Sequence, residues 1–588
     1  MSRSYRYLVF ALVLVLAGGL LAWWTQTNGG TVAVRDVRFM GTNGTMMSGL
    51  LYVPDGVTNE NPAPGILAIH GYINSRETQD GFAIEYARRG YVVLALDQTG
   101  HGYSDPPAFA NGFGGPDGLA YLRTLDIVDK ENIGMEGHSM GGWAVAIAAG
   151  VFPNDYKSIV LAGSSTGTFG APEGTPEFPR NLGLIYSQWD EFSQLMWGTA
   201  VPADIVSTDK LKILFNTTET VEVGKLYGSV ADGTARMLYQ PRVTHPGDHI
   251  SRTAIGNAMA WMQMTLNGGN GLDPANQIWF WKEIGTLIAL IGMVLFFLAF
   301  GSILLRTRFF NEMSEPMPVG KGATGIVWWV AAVLTMAIPA LTFFWLQHKG
   351  NEWLPASAVW SQNITTGIMV WALGNGLITL LLFLIWHFAG NRAKGANGVS
   401  YGCSWAGGMH WGRIGKSFLL AAVVTAGAYL LLALSGWLFT IDFRFWVVAV
   451  KQMTPLHFRI FLTYLLPFTV FFLILSTALH GQMRQDKADG SSVSLARAAW
   501  TNVILLAGGF VIFLLVQYIP LLAGGTLFSA AEPLLVIVAI QIVPLLSIVA
   551  LVSTYFYRKT GHIYVGAFLS AMFITWVVTA SQAIHFPF

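Results

Sequence analysis

The sequence predicts two folds in series. An α/β domain spans residues 31–268 and an all-α transmembrane helical bundle spans 269–588, with an N-terminal transmembrane anchor at 1–30. Three observations lead there. Between Thr31 and Leu266, short β-branched runs alternate with helical stretches, the pattern of an α/β sheet. From Trp279 onward, apolar runs follow one another, each near the ~20 residues that a spanning helix needs. Charged residues make up only 11% of 588, against about 25% in ordinary soluble domains, so the chain is not a single water-soluble globule.

The first apolar run, 7–24, stands behind Arg3 and Arg6 and has no small-x-small cleavage site near Trp23 and Trp24, which reads as a retained anchor. Further runs fall at 279–305, 323–346, 366–389, 416–440, 458–480, 498–521, 532–557 and 562–583, making about nine spans in all. Counted from a cytoplasmic N-terminus, the inside loops carry Arg306, Arg308, Lys321, Arg392, Lys394, Arg413, Lys416, Arg484, Lys487, Arg497, Arg558 and Lys559. The outside loops are poorer, although Lys349, Arg444 and Lys451 lie there. This positive-inside bias predicts a multi-pass protein of the cell membrane, with residues 31–268 and Phe588 extracytoplasmic.

Several function classes drop out. A formal net charge of +1 gives no basic face for nucleic acid. A single cysteine, Cys403, cannot form a disulfide framework within one chain, and no Cys/His spacing suggests a metal, so neither metal nor other cofactor is expected. The apolar runs hold few ionisable residues: Lys282 and Glu283 near the start of one and Glu532 at the mouth of another. Proton-coupled transport needs more. Asn375, Asn502, Gln517 and Gln541 read as interhelical hydrogen-bonding groups.

In the α/β segment, candidate strands are 49–53, 65–69, 91–96, 133–136, 158–162, 182–186 and 235–239. Directly after the fourth comes Gly137-His138-Ser139-Met140-Gly141-Gly142, followed by a small-residue helix over 143–150. A serine hydroxyl is a weak nucleophile, so it must stand exposed on a tight strand-to-helix turn where a base reaches it. Flanking glycines relieve the crowding of that turn, and the helix start directs N–H groups at a developing oxyanion.

Three motifs together resemble the α/β-hydrolase superfamily: this elbow, the run Pro64-Gly65-Ile66-Leu67-Ala68-Ile69-His70-Gly71-Tyr72, and Asp97 followed by Gly100-His101-Gly102-Tyr103-Ser104. The likeness covers roughly 31–268, has a flavour of the dienelactone-hydrolase and acyl-peptidase branches, and does not extend to the bundle. It implies an α/β-hydrolase domain with Ser139 as nucleophile and an oxyanion hole from the backbone N–H groups of Tyr72 and Met140. His70 and Asp97 read as loop-organising residues and His138 as a packing residue. The implied acid is Asp190, after strand 182–186, with Ser187 where the family has glycine; Glu219 is the alternative, and Glu191 reads as a solvated neighbour. The implied base is His245, ending Tyr239-Gln240-Pro241-Arg242-Val243-Thr244-His245, with His249 as alternative.

The segment 191–234 exceeds an ordinary loop and reads either as a cap over the pocket or as a face resting on the bilayer. The expected function is a membrane-embedded serine hydrolase forming an acyl-enzyme on Ser139 and cleaving an ester, thioester or amide, with the bilayer and a small-molecule or lipid-like acyl substrate as partners. The competing expectations are an acyltransferase, or a transporter or receptor that retained the fold without catalysis.

Overall fold

A computed structural model describes residues 3–487 and 491–588. Helix α1 (Arg3–Gln26) leads into an eight-stranded sheet of β1 (Val32–Met40), β2 (Met46–Pro54), β3 (Ala63–Ile69), β4 (Val92–Asp97), β5 (Val128–His138), β6 (Ser158–Ala162), β7 (Leu182–Ile185) and β8 (Arg236–Tyr239). The strand order is β1-β2-β4-β3-β5-β6-β7-β8. β1 pairs antiparallel with β2 and β2 with β4; the remaining pairs are parallel. Helices α2 (Asp80–Arg88), α3 (Gly115–Thr124), α4 (Met140–Val151) and α7 (Arg252–Thr265) flank the sheet, and short α5 (Ser193–Trp197) and α6 (Asp209–Leu214) lie between β7 and β8.

Burial on both faces explains why the inner strands read as continuous apolar runs: every residue of β3, β4, β6 and β7 is buried. All seven predicted strands overlap β2–β8. β1 is an addition. It is an edge strand whose exposed positions include Arg35 and Asp36, and these charges hide its apolar alternation.

The second part is an apolar bundle: α8 (Phe280–Leu304), α9 (Gly325–Leu341), α10 (Phe343–Trp353), α11 (Asn363–Trp386), α12 (Trp411–Phe439), α13 (Pro455–Thr477), α14 (Leu495–Leu522), α15 (Pro533–Thr560) and α16 (Tyr564–Ala580). A small hairpin, β9 (Phe443–Phe445) and β10 (Val448–Val450), joins α12 to α13. Among the described residues, seven helices are long and apolar enough to cross a membrane, a composition compatible with a membrane protein. The expected nine spans divide differently. The run predicted at 323–346 is the pair α9–α10, bent by 50° and counting as an eighth span if taken as one, just beyond Pro339, which cannot donate within α9. The run predicted at 562–583 is α16, only 17 residues long and buried along its whole length.

Close helix packing ties the two parts together. α1 and α8, on either side of the sheet in sequence, meet through small residues: a Cβ on Gly18 would fall 2.4 Å from the Gly285 carbonyl oxygen. The connections of the bundle gather at two ends. At one, Ala323 N donates to Gln482 O (2.7 Å), Asn391 to Lys321 O (2.7 Å) and Arg484 to Pro318 O (2.7 Å). At the other, the β9–β10 hairpin, the end of α14 and the C-terminal segment dock on the α/β domain.

That docking is built on buried charge. Glu77 accepts from Arg76 of its own domain (3.2 Å) and from Lys451 (2.9 Å) and Arg444 (3.3 Å) beside the hairpin. Arg76 also forms a two-pronged pair with Asp36 (2.9 Å each), and Arg444 pairs with Asp442. Burial opposes ionisation of Glu77, but Lys451, Arg76 and Arg444 outweigh it and hold the carboxyl well below its ordinary value. Lys282 at the start of α8 pairs with Asp80 (2.5 Å). Removing one member of a buried pair leaves an uncompensated charge and costs about 3–5 kcal/mol. Arg444→Met is therefore expected to lower the thermal midpoint of the purified full chain markedly; an unchanged midpoint would contradict this role.

Candidate active site

Ser139 sits between β5 and α4 with φ 55° and ψ −121°, a strained conformation for a side-chain-bearing residue. The surrounding glycines make it possible. A Cβ on Gly141 would lie 2.0 Å from the Ile69 carbonyl oxygen, and one on Gly137 would lie 2.2 Å from that of Gly141. The turn is locked by Ser139 N donating to Ala162 O (2.8 Å) and by the Ser164 hydroxyl donating to Ser139 O (2.7 Å). Met140 opens α4, so its N–H has no acceptor within the helix. Tyr72 lies on the facing loop after β3, its hydroxyl bonded to His585 Nε2 (2.8 Å).

His245 and Asp190, from loops after β8 and β7, are brought together: His245 Nδ1 donates to Asp190 Oδ2 at 2.7 Å. Asp190 is further satisfied by Phe192 N (2.8 Å) and the Tyr186 hydroxyl (3.2 Å). Burial works against charging His245, but Asp190, then Glu191 and Asp248, overcome it and raise its pKa. His249 has no carboxylate partner among the described residues. Burial, then the neighbouring His138, hold it well below the ordinary histidine value. Glu219 is exposed and is not part of this cluster; it follows the short helix α6.

Glu191 differs from its expected solvated role. It is buried, accepts from the His245 backbone N–H (2.7 Å) and accepts from the hydroxyl of Tyr518 on α14 (2.7 Å). Burial, then repulsion from Asp190, push its carboxyl up to about 7. His138 is more than packing: Nε2 donates to His245 O (3.0 Å), and its ring lies 4.6 Å from that of His245 and 4.0 Å from that of His249. His70 and Asp97 shape their loops. His70 Nε2 accepts from Gln98 N (3.2 Å), and Asp97 accepts from Arg76 N (2.8 Å) and Tyr103 N (3.0 Å).

Ser139, Met140, Tyr72, His245 and His249 all line one cavity of about 490 Å³, within the ~300–1,000 Å³ usual for small-molecule sites. Its other walls come from two sources. The α/β domain supplies Phe109, Phe113, Trp143 and Phe169, and the segment over 191–234 supplies Phe192, Leu195 and Met196. The bundle supplies Trp446 and Val447 from the hairpin and Leu534, Ile537 and Gln541 from α15. Trp446 is fixed there by its indole N–H on Pro246 O (2.7 Å) and by its own N–H on Glu283 (3.0 Å). No sequence motif marks these bundle residues; the only signal is a polar Gln541 and an Arg/Lys pair in otherwise unfavourable positions. A second cavity of about 480 Å³ lies within the bundle between α9 and α11, and Lys394 is its one ionisable lining residue among those described.

A family model described as alpha/beta hydrolase fold matches residues 64–194. An uncharacterized protein of Mycobacterium tuberculosis is 35% identical over 112 residues, which is 18% of this chain and 30% of that protein. The chain thus spans about a third of the length of the curated relatives it matches. Among solved structures, a predicted CIB-like hydrolase from Thermoplasma acidophilum is 18% identical over 40% of this chain and 99% of its own (TM-score 0.28). The thioesterase domain from the curacin biosynthetic pathway is 16% identical over 39% and 98% (TM-score 0.26). The family match together with the mostly parallel eight-stranded sheet defines an α/β-hydrolase domain, the fold of hydrolytic enzymes.

Glu136, in β5 directly before the elbow, is wholly buried against Gln79 (2.8 and 3.0 Å), and burial raises its carboxyl from 4.5 to about 8. The folded chain therefore holds this proton more tightly than the unfolded chain. The resulting stabilisation is full below about 4.5 and is lost as pH rises through about 8, on the order of 5 kcal/mol in total. Glu136→Gln should gain stability over the parent progressively from pH 5 to pH 9, as the parent loses about 4 kcal/mol over that range, read from paired thermal midpoints; a pH-independent difference would contradict a protonated Glu136.

Proposed function

We propose that the chain is a membrane-embedded serine hydrolase that cleaves a carboxylic ester, thioester or amide through an acyl-enzyme on Ser139. The observation that carries this reading is the 2.7 Å His245–Asp190 pair lining the same cavity as the strained Ser139. With Nδ1–H given to Asp190, His245 keeps Nε2 free to act as base. Ser139 Oγ bonds to the substrate carbonyl carbon while its proton passes to His245. The oxyanion that forms is met by the N–H groups of Met140 and Tyr72. Collapse expels the leaving group, which takes the proton from His245. Water then attacks the acyl-enzyme, gives a proton to His245, and the acid leaves as Ser139 regains its hydrogen. Transfer to another acceptor in place of water would make the same site an acyltransferase.

Ser139→Ala should abolish turnover and labelling by a fluorophosphonate probe. His245→Ala and Asp190→Asn should each lower kcat by about 10³–10⁶, whereas Glu219→Gln, on an exposed loop, should retain parental activity. Retained labelling in Ser139→Ala would refute the assignment.

We take the hydrolase domain to be extracytoplasmic. Support comes from the end of the bundle remote from the hydrolase domain, where Lys321, Arg392, Arg413 and Arg484 lie in interlocked connections, as the positive-inside rule asks of a cytoplasmic face. Of the three exceptions on the opposite side, Arg444 and Lys451 are neutralised by Glu77, with Asp442 also bound to Arg444, and Lys349 pairs with Glu352. Single cysteines at the exposed positions Asn59 and Lys394 in a Cys403→Ser background test this in intact cells. An impermeant maleimide should modify the first and spare the second; the reverse would invert the orientation.

A further inference from the structure

Resting on the acyl-enzyme reading, the cavity lining says what kind of molecule fits. Leu534, Ile537 and Gln541 project from one face of α15, spaced three and four residues apart, and all reach the cavity that holds Ser139. From Leu534 to Gln541 the helix rises about 10 Å, so the cavity runs two turns along a helix apolar enough to span a bilayer. Phe192, Met196 and Val447 continue the apolar wall, and Phe109, Phe169 and Leu195, each about half exposed, form its rim. No Lys, Arg, Asp or Glu lines the cavity among the described residues. Its polar groups other than the elbow and base include His249, buried, with both ring nitrogens lacking a hydrogen-bond partner among the described residues. Held neutral by burial and the adjacent histidines, that ring offers one donor and one acceptor.

We propose that the substrate is an uncharged acyl amphiphile drawn from the bilayer, with an acyl chain along α15 against Leu534 and Ile537, its carbonyl at Ser139 and a neutral oxygen of its polar end bonded to His249. A phosphate-bearing head would have to bury an unpaired charge in an apolar cavity. Hydrolysis yields a carboxylate, which the same uncharged lining rejects, so the product acid is driven out toward the interface.

The test uses the full chain in phosphatidylcholine vesicles. Ser139 labelling rates are measured with a short-chain and a long-chain alkyl fluorophosphonate in the parent, Leu534→Trp and Ile537→Trp. The long-to-short ratio should fall roughly tenfold in the variants, the effect of displacing about two methylenes; taking the ratio within each variant cancels general damage. In parallel, the parent should hydrolyse a 1-monoacylglycerol on the order of a hundredfold faster than the matching lysophosphatidate. Unchanged ratios in both variants with Ser139 still labelled, or equal rates on the two lipids, would overturn the substrate assignment alone. Absence of Ser139 labelling by either probe would overturn the acyl-enzyme reading and this assignment with it.

Discussion

One buried carboxylate, Glu77, holds the architecture together. Taking a charge out of water is expensive unless it is fully paired, and no single part of the chain supplies enough partners. Arg76 comes from the α/β domain, Arg444 from β9 and Lys451 from just beyond β10. Neither part can therefore separate without stranding a charge. The docking is directional as well as strong, because Arg444 also bonds Ser75 and Thr78 while Arg76 spans to Asp36. The hairpin is clamped in one register over the sheet.

The site follows from that clamp. With Arg444 and Lys451 fixed, the intervening Trp446 is carried onto Pro246, the residue after the candidate base. From α14, Tyr518 bonds Glu191, which in turn holds the backbone of His245. The bundle thus supports the loop bearing His245 at two points, through Trp446 and through Tyr518, and the Asp190 bond sets the ring orientation. A single spanning helix would anchor such a domain; the bundle goes further and supplies one wall of the cavity, through Trp446, Val447, Leu534, Ile537 and Gln541, and braces the loop that carries His245.

The local parts of this arrangement were legible in the sequence. β2–β8 announce themselves because strands buried on both faces must be apolar throughout, and the elbow announces itself because only glycine tolerates the contacts around Ser139. Asp190 and His245 were the residues that the family resemblance implies, with Glu219 and His249 as alternatives, and the structure brings the first two to 2.7 Å. What stayed hidden depends on distant pairing. Glu191 looks solvated in isolation because its partners lie 54 and 327 positions away. β1 was missed because its charges face solvent or Arg76. Arg444 and Lys451 were visible only as exceptions to a charge rule, and those exceptions are the joint between the two parts of the molecule.

The central claim is that one cavity, walled jointly by the α/β domain and α15, delivers an acyl chain to Ser139. The most direct measurement is a cryo-electron microscopy structure of the vesicle- or nanodisc-reconstituted chain after reaction with a long-chain alkyl fluorophosphonate. The account predicts phosphonyl density on Ser139 Oγ, with the alkyl tail lying between Trp446 and the Leu534–Ile537 face of α15. A tail leaving past Phe109 and Phe169 into solvent, or an α/β domain separated from the hairpin, would contradict it.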